Sequence, residues 1–341
     1  MVETKLLEVK NLKTHFNTER GRVTAVDGVF FTVHAGETVG VVGESGCGKS
    51  VTAESILRLL DEKSTEYEGE ILYKGKNLLT STINEMQAVR GNDISMIFQD
   101  PMSSLNPVYT VGNQIVESIM LHQNVNKKEA YEKAIEMLRL TGIPSPEKRI
   151  HEYPHELSGG MRQRVMIAMA LSCQPKLLIA DEPTTALDVT TQSQILDLIN
   201  ELKVKFNMGT VMITHDLGVV AEVCTKVVVM YLGQVIEESD VRSLFSSPYH
   251  PYTDGLLKSI PQLTGDRSKK LHVIEGKVPT LHQVPKGCRF APRCAFANEK
   301  CHDEMPELVQ ADTSRKVRCW HYKEIFQAGE ESPYVSAADS Y

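Results

Sequence analysis

The chain has 341 residues, of which 41% are hydrophobic and 24% charged, enough apolar material for a large core and a smaller appended unit. Its 37 basic and 44 acidic side chains give a formal net charge of −7, which provides no global electrostatic reason to bind nucleic acid. Apolar runs of about 18 residues are missing and the start lacks the layout of a signal peptide, so we expect a cytoplasmic chain that does not span the bilayer.

The first half of the chain predicts an α/β arrangement. Apolar or alternating runs predict strands over 6–9, 23–33, 38–42 and 94–98, and residues 69–72 and 75–78 predict a further strand and turn. A helix is predicted over 49–60, directly after a glycine-rich loop. From residue 100 the spacing becomes helical, with helices over 114–122, 128–141 and 161–172. We interpret about 100–172 as an inserted helical subdomain.

The second half returns to strands and then loses its pattern. A continuously apolar run over 176–180, followed by two acids, predicts a parallel strand covered on both faces. A helix over 192–206, strands over 210–213 and 227–231, and an edge hairpin over 233–237 are predicted next. Residues 261–285 predict a linker with short strands, and the small polar residues 329–341 predict a mobile tail.

A phosphate-binding loop is the most specific motif. Gly43-Glu44-Ser45-Gly46-Cys47-Gly48-Lys49-Ser50, followed by Val51, fits G-x-x-x-x-G-K-[ST]. Its glycines let successive N–H groups surround the phosphates of ATP, and the helix that starts at Lys49 directs its positive dipole end at the same charge. Lys49 is expected to reach the β- and γ-oxygens, and Ser50 to bind Mg²⁺. We interpret Cys47 as a small tolerated side chain rather than a redox switch.

Two acids supply the other half of such a site. Asp181 and Glu182 follow the apolar strand, so Asp181 is expected at the Mg²⁺ and Glu182 is expected to polarise the attacking water. A strand that ends in solvated acids is common, so this motif gains its meaning from the phosphate-binding loop.

Four of the seven cysteines lie close together near the C-terminus. Cys288, Cys294, Cys301 and Cys319 have the spacing C-x5-C-x6-C-x17-C. In a reducing compartment such clustered thiols are more often metal ligands than disulfides. The tight knuckles of structural zinc sites are missing, and four thiolates on irregular loops suit an iron–sulfur cluster. Spacing alone leaves three interpretations open: the cluster, zinc with His302 or His321 as a further ligand, and ordinary thiols.

The order of the motifs resembles the ATPase subunit of an ABC transporter over roughly residues 5–260. The motifs are the phosphate-binding loop, Gln99, Leu157-Ser158-Gly159-Gly160-Met161, Asp181-Glu182, Ala186-Leu187-Asp188 and His215. The resemblance implies an α/β P-loop NTPase with an antiparallel β subdomain, an inserted helical subdomain and a small cysteine-rich extension. We therefore expect an ATPase domain over 1–260, an extension over 261–328 and the tail over 329–341.

The resemblance also implies roles for matching positions. Phe16 would stack on adenine, with a core strand residue as the equal alternative, and Gln99 would contact Mg²⁺ and sense the γ-phosphate. Ser158, Gly159 and Gly160 would bind the γ-phosphate held by another subunit. Asp188 would lie in a loop that crosses the dimer interface, and His215 would contact the γ-phosphate. Met161 replaces the glutamine usual at the end of this signature, with little expected effect because it follows the phosphate-binding N–H groups.

The region around the cysteines is similar to the extension of oligopeptide and dipeptide ABC importer ATPases. The matching segments are Tyr153-Pro154-His155-Glu156-Leu157, His250-Pro251-Tyr252 and the stretch from Gly287 through Cys294 to Cys301. This likeness implies that the four cysteines hold a [4Fe-4S] cluster of structural or regulatory use, with zinc as the alternative.

The implied function is ATP hydrolysis that drives import of oligo- or dipeptides, by a peripheral subunit at the cytoplasmic face of the cell membrane. One P-loop and one signature require a second ATPase, so we expect a related subunit in a heterodimer. Two transmembrane permease subunits and an extracellular peptide-binding protein would complete the assembly, without nucleic acid. The alternatives are nickel or glutathione as cargo, a soluble ABC ATPase acting on ribosomes or DNA, and an iron–sulfur redox protein.

Overall fold

The computed structural model describes residues 4–100, 104–185, 187–260 and 272–326. The chain divides into two compact units, each built from separate stretches. The signature unit comprises Met1–Leu7, Val33–Thr38 and Tyr73–Ile213, and the P-loop unit comprises Glu8–Thr32, Val39–Leu72 and Thr214–Tyr341. The expected domain boundary at residue 260 falls inside the second unit and stays a prediction.

Strands and helices alternate along much of the chain, as expected for the α/β class. Within the described ranges the strands are β1 (Lys5–Thr18), β2 (Gly21–His34), β3 (Thr38–Val42), β4 (Thr65–Tyr73), β5 (Lys76–Asn77), β6 (Ile94–Ile97), β7 (Leu177–Asp181), β8 (Gly209–Thr214), β9 (Lys226–Tyr231), β10 (Gln234–Asp240), β11 (Val309–Gln310) and β12 (Lys316–Val317).

Helices of very different lengths connect these strands. In the same ranges they are α1 (Lys49–Ile56), α2 (Ile83–Val89), α3 (Val111–His122), α4 (Lys127–Leu140), α5 (Pro146–Arg149), α6 (Gly159–Leu171), α7 (Val189–Phe206), α8 (Leu217–Val223), α9 (Val241–Ser246), α10 (Pro251–Lys258), α11 (Glu299–Asp303) and α12 (Tyr322–Phe326). Among them, none has the length and apolar content that a bilayer crossing requires.

Three parallel strands form the sheet of the signature unit, in the order β6, β7, β8. Every residue of β7 and β8 is buried, which confirms the predicted parallel strand covered on both faces. Helices α3, α4 and α6 pack on one another in the segment predicted to be helical. The guanidinium of Arg164 on α6 donates to the Thr141 carbonyl at the end of α4, at 2.8 Å, which ties two of these helices together.

The sheet of the P-loop unit runs in the order β3, β9, β10, β12, β11. β3 is parallel to β9, and the remaining neighbours are antiparallel. All five residues of β3 are buried, which places the end of this strand, where the phosphate-binding loop starts, over the core. A second sheet has the strand order β2, β1, β4, β5.

Two predictions about the elements are wrong, and a third is not met over the residues that the structure describes. The helix expected over 49–60 ends at Ile56, because Arg58 adopts a left-handed φ of 49° that stops its continuation. The hairpin at 233–237 exists, with Leu232 and Gly233 at positive φ in its turn, but β10 is not an edge strand because β12 pairs with it. Residues 272–285 contain no strand, and residues 261–271 and 329–341 lie outside the described part of the chain.

Candidate active site

The phosphate-binding loop connects β3 to α1 through three glycines at positive φ. Gly43, Gly46 and Gly48 have φ values of 150°, 79° and 99°, which L side chains rarely adopt. A Cβ at Gly43 would lie 2.2 Å from the Met230 carbonyl oxygen, and one at Gly48 would lie 2.7 Å from that of Ala25. The loop therefore requires glycine at both positions for space as well as for backbone conformation.

Lys49 begins α1 and is only 5% exposed. Its Nζ donates to the Gly43 carbonyl at 2.8 Å and to the Glu44 carbonyl at 3.1 Å, so the ammonium lies against the carbonyls that open the loop. Gly48, the residue before the helix, provides no side-chain cap for the first N–H groups of α1. A buried cation next to a helix N-terminus favours an anionic ligand such as a phosphate.

The remaining loop residues differ in exposure. Ser45 and Gly46 are exposed, and Ser50 and Val51 are half-buried. A Cβ at Gly46 would meet no atom within 4 Å, so this side of the loop is open. The loop thus has one face packed on the unit and one face accessible to a ligand.

Cys47 is a buried packing residue of the loop. Its side chain is 1% exposed, and burial raises the pKa of the thiol. The thiolate is the reactive form of cysteine, so this environment makes the side chain inert at neutral pH. The interpretation as a small tolerated side chain agrees with this geometry.

Glu44 is held by two residues that the sequence did not mark as part of the site. Its backbone N–H donates to the hydroxyl oxygen of Tyr252 at 2.8 Å. Its carboxylate accepts two hydrogen bonds from the guanidinium of Arg293, at 2.6 and 3.1 Å. Tyr252 lies in the first turn of α10, and Arg293 lies in the cysteine-rich extension. The backbone and the carboxylate of Glu44, the second residue of the loop, are therefore both held by hydrogen bonds.

The acidic pair lies at the end of β7 in the signature unit. Asp181 is 4% exposed, and Glu182 has a left-handed φ of 47°, uncommon for a non-glycine residue and frequent at functional sites. The Gln99 side-chain amide and the Thr185 hydroxyl each donate to Oε2 of Glu182 at 3.0 Å. The structure thus places two predicted site residues, Gln99 and Glu182, in direct contact.

The signature motif begins α6. The Ser158 hydroxyl oxygen accepts a hydrogen bond from the Met161 N–H at 3.3 Å, and Ser158 and Gly159 are exposed. A Cβ at Gly159 would meet no atom within 4 Å, whereas one at Gly160 would lie 3.2 Å from the Thr191 side chain. The helix N-terminus is therefore presented at the surface of its own unit.

Asp188, the predicted interface residue, caps a neighbouring helix. Its carboxylate accepts from the Thr191 N–H at 3.0 Å and from the Thr191 hydroxyl at 2.7 Å, and these bonds lower the pKa of Asp188. Because Thr191 also lies beside Gly160, the start of α7 is adjacent to the signature.

The last two predicted nucleotide residues belong to the P-loop unit. Phe16 is half-buried near the end of β1, so its ring is neither a core residue nor fully exposed. His215 is exposed and follows β8 directly. The predicted nucleotide residues are therefore shared between the units. The loop, Phe16 and His215 are in one, and Gln99, the signature, the acids and Asp188 are in the other.

The four clustered cysteines line one small cavity of about 20 Å³. Other residues of its lining are His250, Phe290 and Trp320. Burial raises the pKa of Cys288 and Cys294, and it raises that of Cys319 to about 12, so these thiols are protonated at neutral pH.

The cavity brings metal-binding side chains together without forming a ligand set. Among the residues that the structure describes, no three His, Cys, Asp or Glu side chains form a group that could hold a metal ion. A cavity of this size admits about one water molecule, so a cubane cluster would require the thiols to move apart. The geometry therefore does not support the expected set of four metal ligands, although the four thiols line one cavity.

Arg293 and Tyr252 were missed as site residues because their partner lies far away in the sequence. Arg293 is 249 positions from Glu44, and Tyr252 is 208 positions away. The available signal was the pair of arginines, Arg289 and Arg293, in the cysteine segment. Buried arginines need an acidic partner, and the glutamate of the phosphate-binding loop is one.

Comparisons with known proteins identify the family of the chain. The family described as "ABC transporter" matches residues 26–185, and the family described as "Oligopeptide/dipeptide transporter, C-terminal region" matches residues 236–301. The dimeric structure of MJ0796, a bacterial ABC transporter cassette, is similar with a TM-score of 0.62 and 26% identity, covering 69% of this chain and 99% of that one.

Two curated relatives are similar over nearly their whole length. The probable peptide ABC transporter ATP-binding protein y4tR of Sinorhizobium fredii is 53% identical, covering 94% of this chain and 96% of the relative. The oligopeptide transport ATP-binding protein AppD of Bacillus subtilis is also 53% identical, covering 94% and 97%. The chain therefore belongs to the family of ABC transporter ATP-binding proteins that carry the oligopeptide/dipeptide C-terminal region.

Proposed function

We propose that this chain is the ATP-hydrolysing, energy-coupling subunit of a transporter that imports oligo- or dipeptides. The observation that carries the proposal is the extent of the likeness: 53% identity to an oligopeptide transport ATP-binding protein runs over 320 residues. That length includes the C-terminal region as well as the phosphate-binding loop. The relatives described above are named as transport proteins, which disfavours a role on ribosomes or DNA.

The chemistry assigned to the site is attack of water on the γ-phosphate of ATP. Lys49 would bind the β- and γ-oxygens, and Glu182 would accept hydrogen bonding from the water and polarise it. The two bonds on Oε2 of Glu182 and its left-handed backbone fix the direction of this carboxylate. His215 would contact the γ-phosphate, and Phe16 the adenine.

Ser50, Gln99 and Asp181 are the residues that would hold Mg²⁺. Hydroxyl, amide and carboxylate oxygens are the ligand types this cation takes in proteins. When bound, Mg²⁺ neutralises charge on the β- and γ-phosphates. Gln99 also donates to Glu182 at 3.0 Å, so one side chain would report on both the cation and the water-activating carboxylate.

A second ATPase subunit would complete the nucleotide site. The chain has one phosphate-binding loop and one signature, and Ser158 and Gly159 are exposed in its own unit. The solved cassette MJ0796 is dimeric, and another of its structures holds ADP and Pi. We assign Ser158, Gly159, Gly160 and Asp188 to contacts with a facing, related subunit. Two permease subunits and an extracellular peptide-binding protein would complete the importer at the cytoplasmic face of the membrane.

Isolation and uptake assays test this function together. The full chain is purified from membranes, its companions are identified by mass spectrometry, and uptake of a labelled tripeptide is measured in vesicles. Glu182→Gln should keep ATP binding and lower ATPase turnover and uptake by about 100-fold, because the water loses its polarising carboxylate.

The control variant is Glu201→Gln, an exposed acid of α7 in the same unit, which should behave like the wild type. Uptake of nickel or glutathione in place of peptide, or recovery of the chain without membrane subunits, would contradict the proposal.

For the extension we assign Cys288, Cys294, Cys301 and Cys319 to a [4Fe-4S] cluster of structural or regulatory use. Support comes from the four thiols that line one cavity, which would have to move apart to admit the cluster. Metal binding would have to displace the protons that burial holds on at least Cys288, Cys294 and Cys319. Because the thiolate is the nucleophilic form of cysteine, thiols that burial keeps protonated cannot act as redox nucleophiles by themselves.

Elemental analysis of the purified chain decides between the occupants. The proposal expects about four iron and four sulfide per chain, with a brown colour that Cys301→Ser removes and Cys173→Ser does not. Cys173 serves as the control because it lies outside the cavity, near the end of α6. Zinc without iron would establish the alternative metal, and absence of both would leave ordinary thiols.

A further inference from the structure

We infer that Arg293 is a positioning residue for the phosphate-binding loop, so that the cysteine-rich extension sets the nucleotide affinity of this chain. The inference rests on the proposed nucleotide site and adds a residue to it. Arg293 lies directly before Cys294, and its guanidinium forms a two-bond ion pair with the Glu44 carboxylate at 2.6 and 3.1 Å.

The position of the guanidinium is determined from several directions. Its Nε donates to the Glu275 carbonyl at 3.0 Å, and Nη2 donates to the Ile274 carbonyl at 3.3 Å. Nη1 lies 3.4 Å from the Tyr231 hydroxyl, at the end of β9. The Arg293 side chain is only 3% exposed. A planar donor group with this many fixed partners has one orientation, and it transfers that orientation to its acid.

Aromatic packing connects the same region to the base of the loop. Tyr231, Tyr252 and Phe290 form mutual edge-on contacts, with ring centroids 4.8 to 5.4 Å apart. Tyr252 in turn accepts the hydrogen bond from the Glu44 N–H. The backbone and the carboxylate of Glu44 are therefore both held by one packed cluster that includes part of the extension.

Glu44 is the acid whose freedom would matter most for phosphate binding. It is the residue after Gly43, and its carbonyl accepts from the ammonium of Lys49. In the paired state the carboxylate charge is neutralised by Arg293. If the pair is broken, a mobile negative charge remains inside a loop that binds phosphates, and like charges repel. Arg293 thus orders the loop and screens an unfavourable charge.

A double-mutant cycle on the full chain tests the inference, with a fluorescent ATP analogue as the probe. Arg293→Ala should weaken binding about tenfold, because it releases the carboxylate. Glu44→Ala should weaken binding at most about threefold, since it removes the charge as well as the pair. The double variant should match Glu44→Ala, so that the second substitution rescues the first. Arg293→Lys keeps the positive charge and loses the two-bond geometry of the guanidinium, so its affinity should lie between those of the wild type and Arg293→Ala.

Rescue is the readout that a merely structural role would not produce. Arg315→Ala is the matched control, because Arg315 is a buried arginine of the extension whose partners are Glu237, Asp312 and the Ser247 carbonyl. It should lower the melting temperature and leave the dissociation constant unchanged. If Arg293→Ala does not yield a folded chain, Arg293→Lys with and without Glu44→Ala carries the same test.

The outcomes separate this inference from the site on which it rests. Unchanged affinity of the Arg293 variants, or a double variant weaker than Arg293→Ala, would overturn the inference alone, provided that Lys49→Ala loses binding. Wild-type affinity of Lys49→Ala would overturn the nucleotide site and the inference together.

Discussion

Two helices of this chain begin at loops suited to anions, and they are built in opposite ways. α1 starts after Gly48, which is in a left-handed conformation, and its first residue, Lys49, is 5% exposed. α6 starts after Ser158, whose hydroxyl caps the helix, and Ser158 and Gly159 are exposed. The first N-terminus is enclosed by its own unit, and the second is presented outward.

The contrast fits the proposal that one chain contacts two different nucleotides. The enclosed start needs glycine for space, since a Cβ at Gly43 or Gly48 would meet backbone carbonyls. A Cβ at Gly159 would meet no atom within 4 Å, so the lack of a side chain there gives its own unit no packing advantage. The absence of a side chain there is best explained by the close approach of a partner to the helix N-terminus.

The largest effect should come from the enclosed site. Lys49→Ala removes the buried ammonium and should weaken binding of the fluorescent ATP analogue by about 100-fold, because charge-assisted bonds to phosphate are the strong ones. Lys63→Ala, at an exposed lysine of the same unit, should bind like the wild type. If Lys49→Ala and Lys63→Ala bound the analogue equally well, the N-terminus of α1 would not be the nucleotide site of this chain, and the contrast with the N-terminus of α6 would be lost.

An acid at the exposed N-terminus of α6 should lower ATPase turnover of the transporter without changing nucleotide binding by the isolated chain. Gly159→Asp should fold and bind nucleotide normally, since a Cβ fits there, yet lower ATPase turnover of the assembled transporter about 100-fold. The new charge repels the γ-phosphate of the facing subunit. Light scattering with ATP should show failure of the two ATPase subunits to associate.

Lys128→Asp is the comparison variant, because it adds an acid to the exposed first turn of α4 in the same unit. It should change neither association nor turnover. Loss of nucleotide binding by Gly159→Asp in the isolated chain would mean that the signature serves the chain's own site.

The smallest effect concerns the cap itself. Ser158→Ala should lower the free energy of unfolding by about 1 kcal/mol, because the Met161 N–H loses its acceptor. Thr110→Ala removes an equivalent cap of α3, where Asn113 N–H donates at 3.3 Å, and should cost a similar amount. Chemical denaturation measures both.

Only Ser158→Ala should also reduce ATPase turnover, by about threefold, since we assign its hydroxyl to contact with the γ-phosphate of the facing subunit. Equal turnover of the Ser158 and Thr110 variants would assign the serine to helix stability alone.

The glycine loop and the strand before the acidic pair could be predicted from the sequence because each is a short local pattern, whereas the roles given to the nucleotide residues stay predictions. The loop from Gly43 to Ser50 requires glycines at fixed spacing, and the strand that ends at Asp181 is continuously apolar. Steric demand makes such patterns specific: L residues cannot replace the glycines, and polar residues cannot enter a strand covered on both faces.

The support of Glu44 could not be predicted, because it depends on chain topology rather than on local spacing. The ion pair with Arg293 spans 249 positions, and no periodicity connects them. The same holds for β10, whose predicted edge position is wrong because a two-residue strand from the extension pairs with it. Short strands without alternation leave no signal of their own. The cysteine spacing likewise gave no indication that the four thiols line one cavity.

The pairing of β12 with β10 also has a consequence for attempts to shorten the protein. Glu237 and Glu238 on β10 are 0% and 3% exposed, and they pair with Arg315 and Lys316 beside or within β12. A fragment that stops near residue 260 would lose Arg315, the ion-pair partner of Glu237, and Lys316, one of the partners of Glu238, which would keep only Lys226 on β9. It would also uncover a row of backbone donors and acceptors. Such a minimal cassette should be recovered as insoluble material, so biochemical work on this motor requires the chain to at least residue 318.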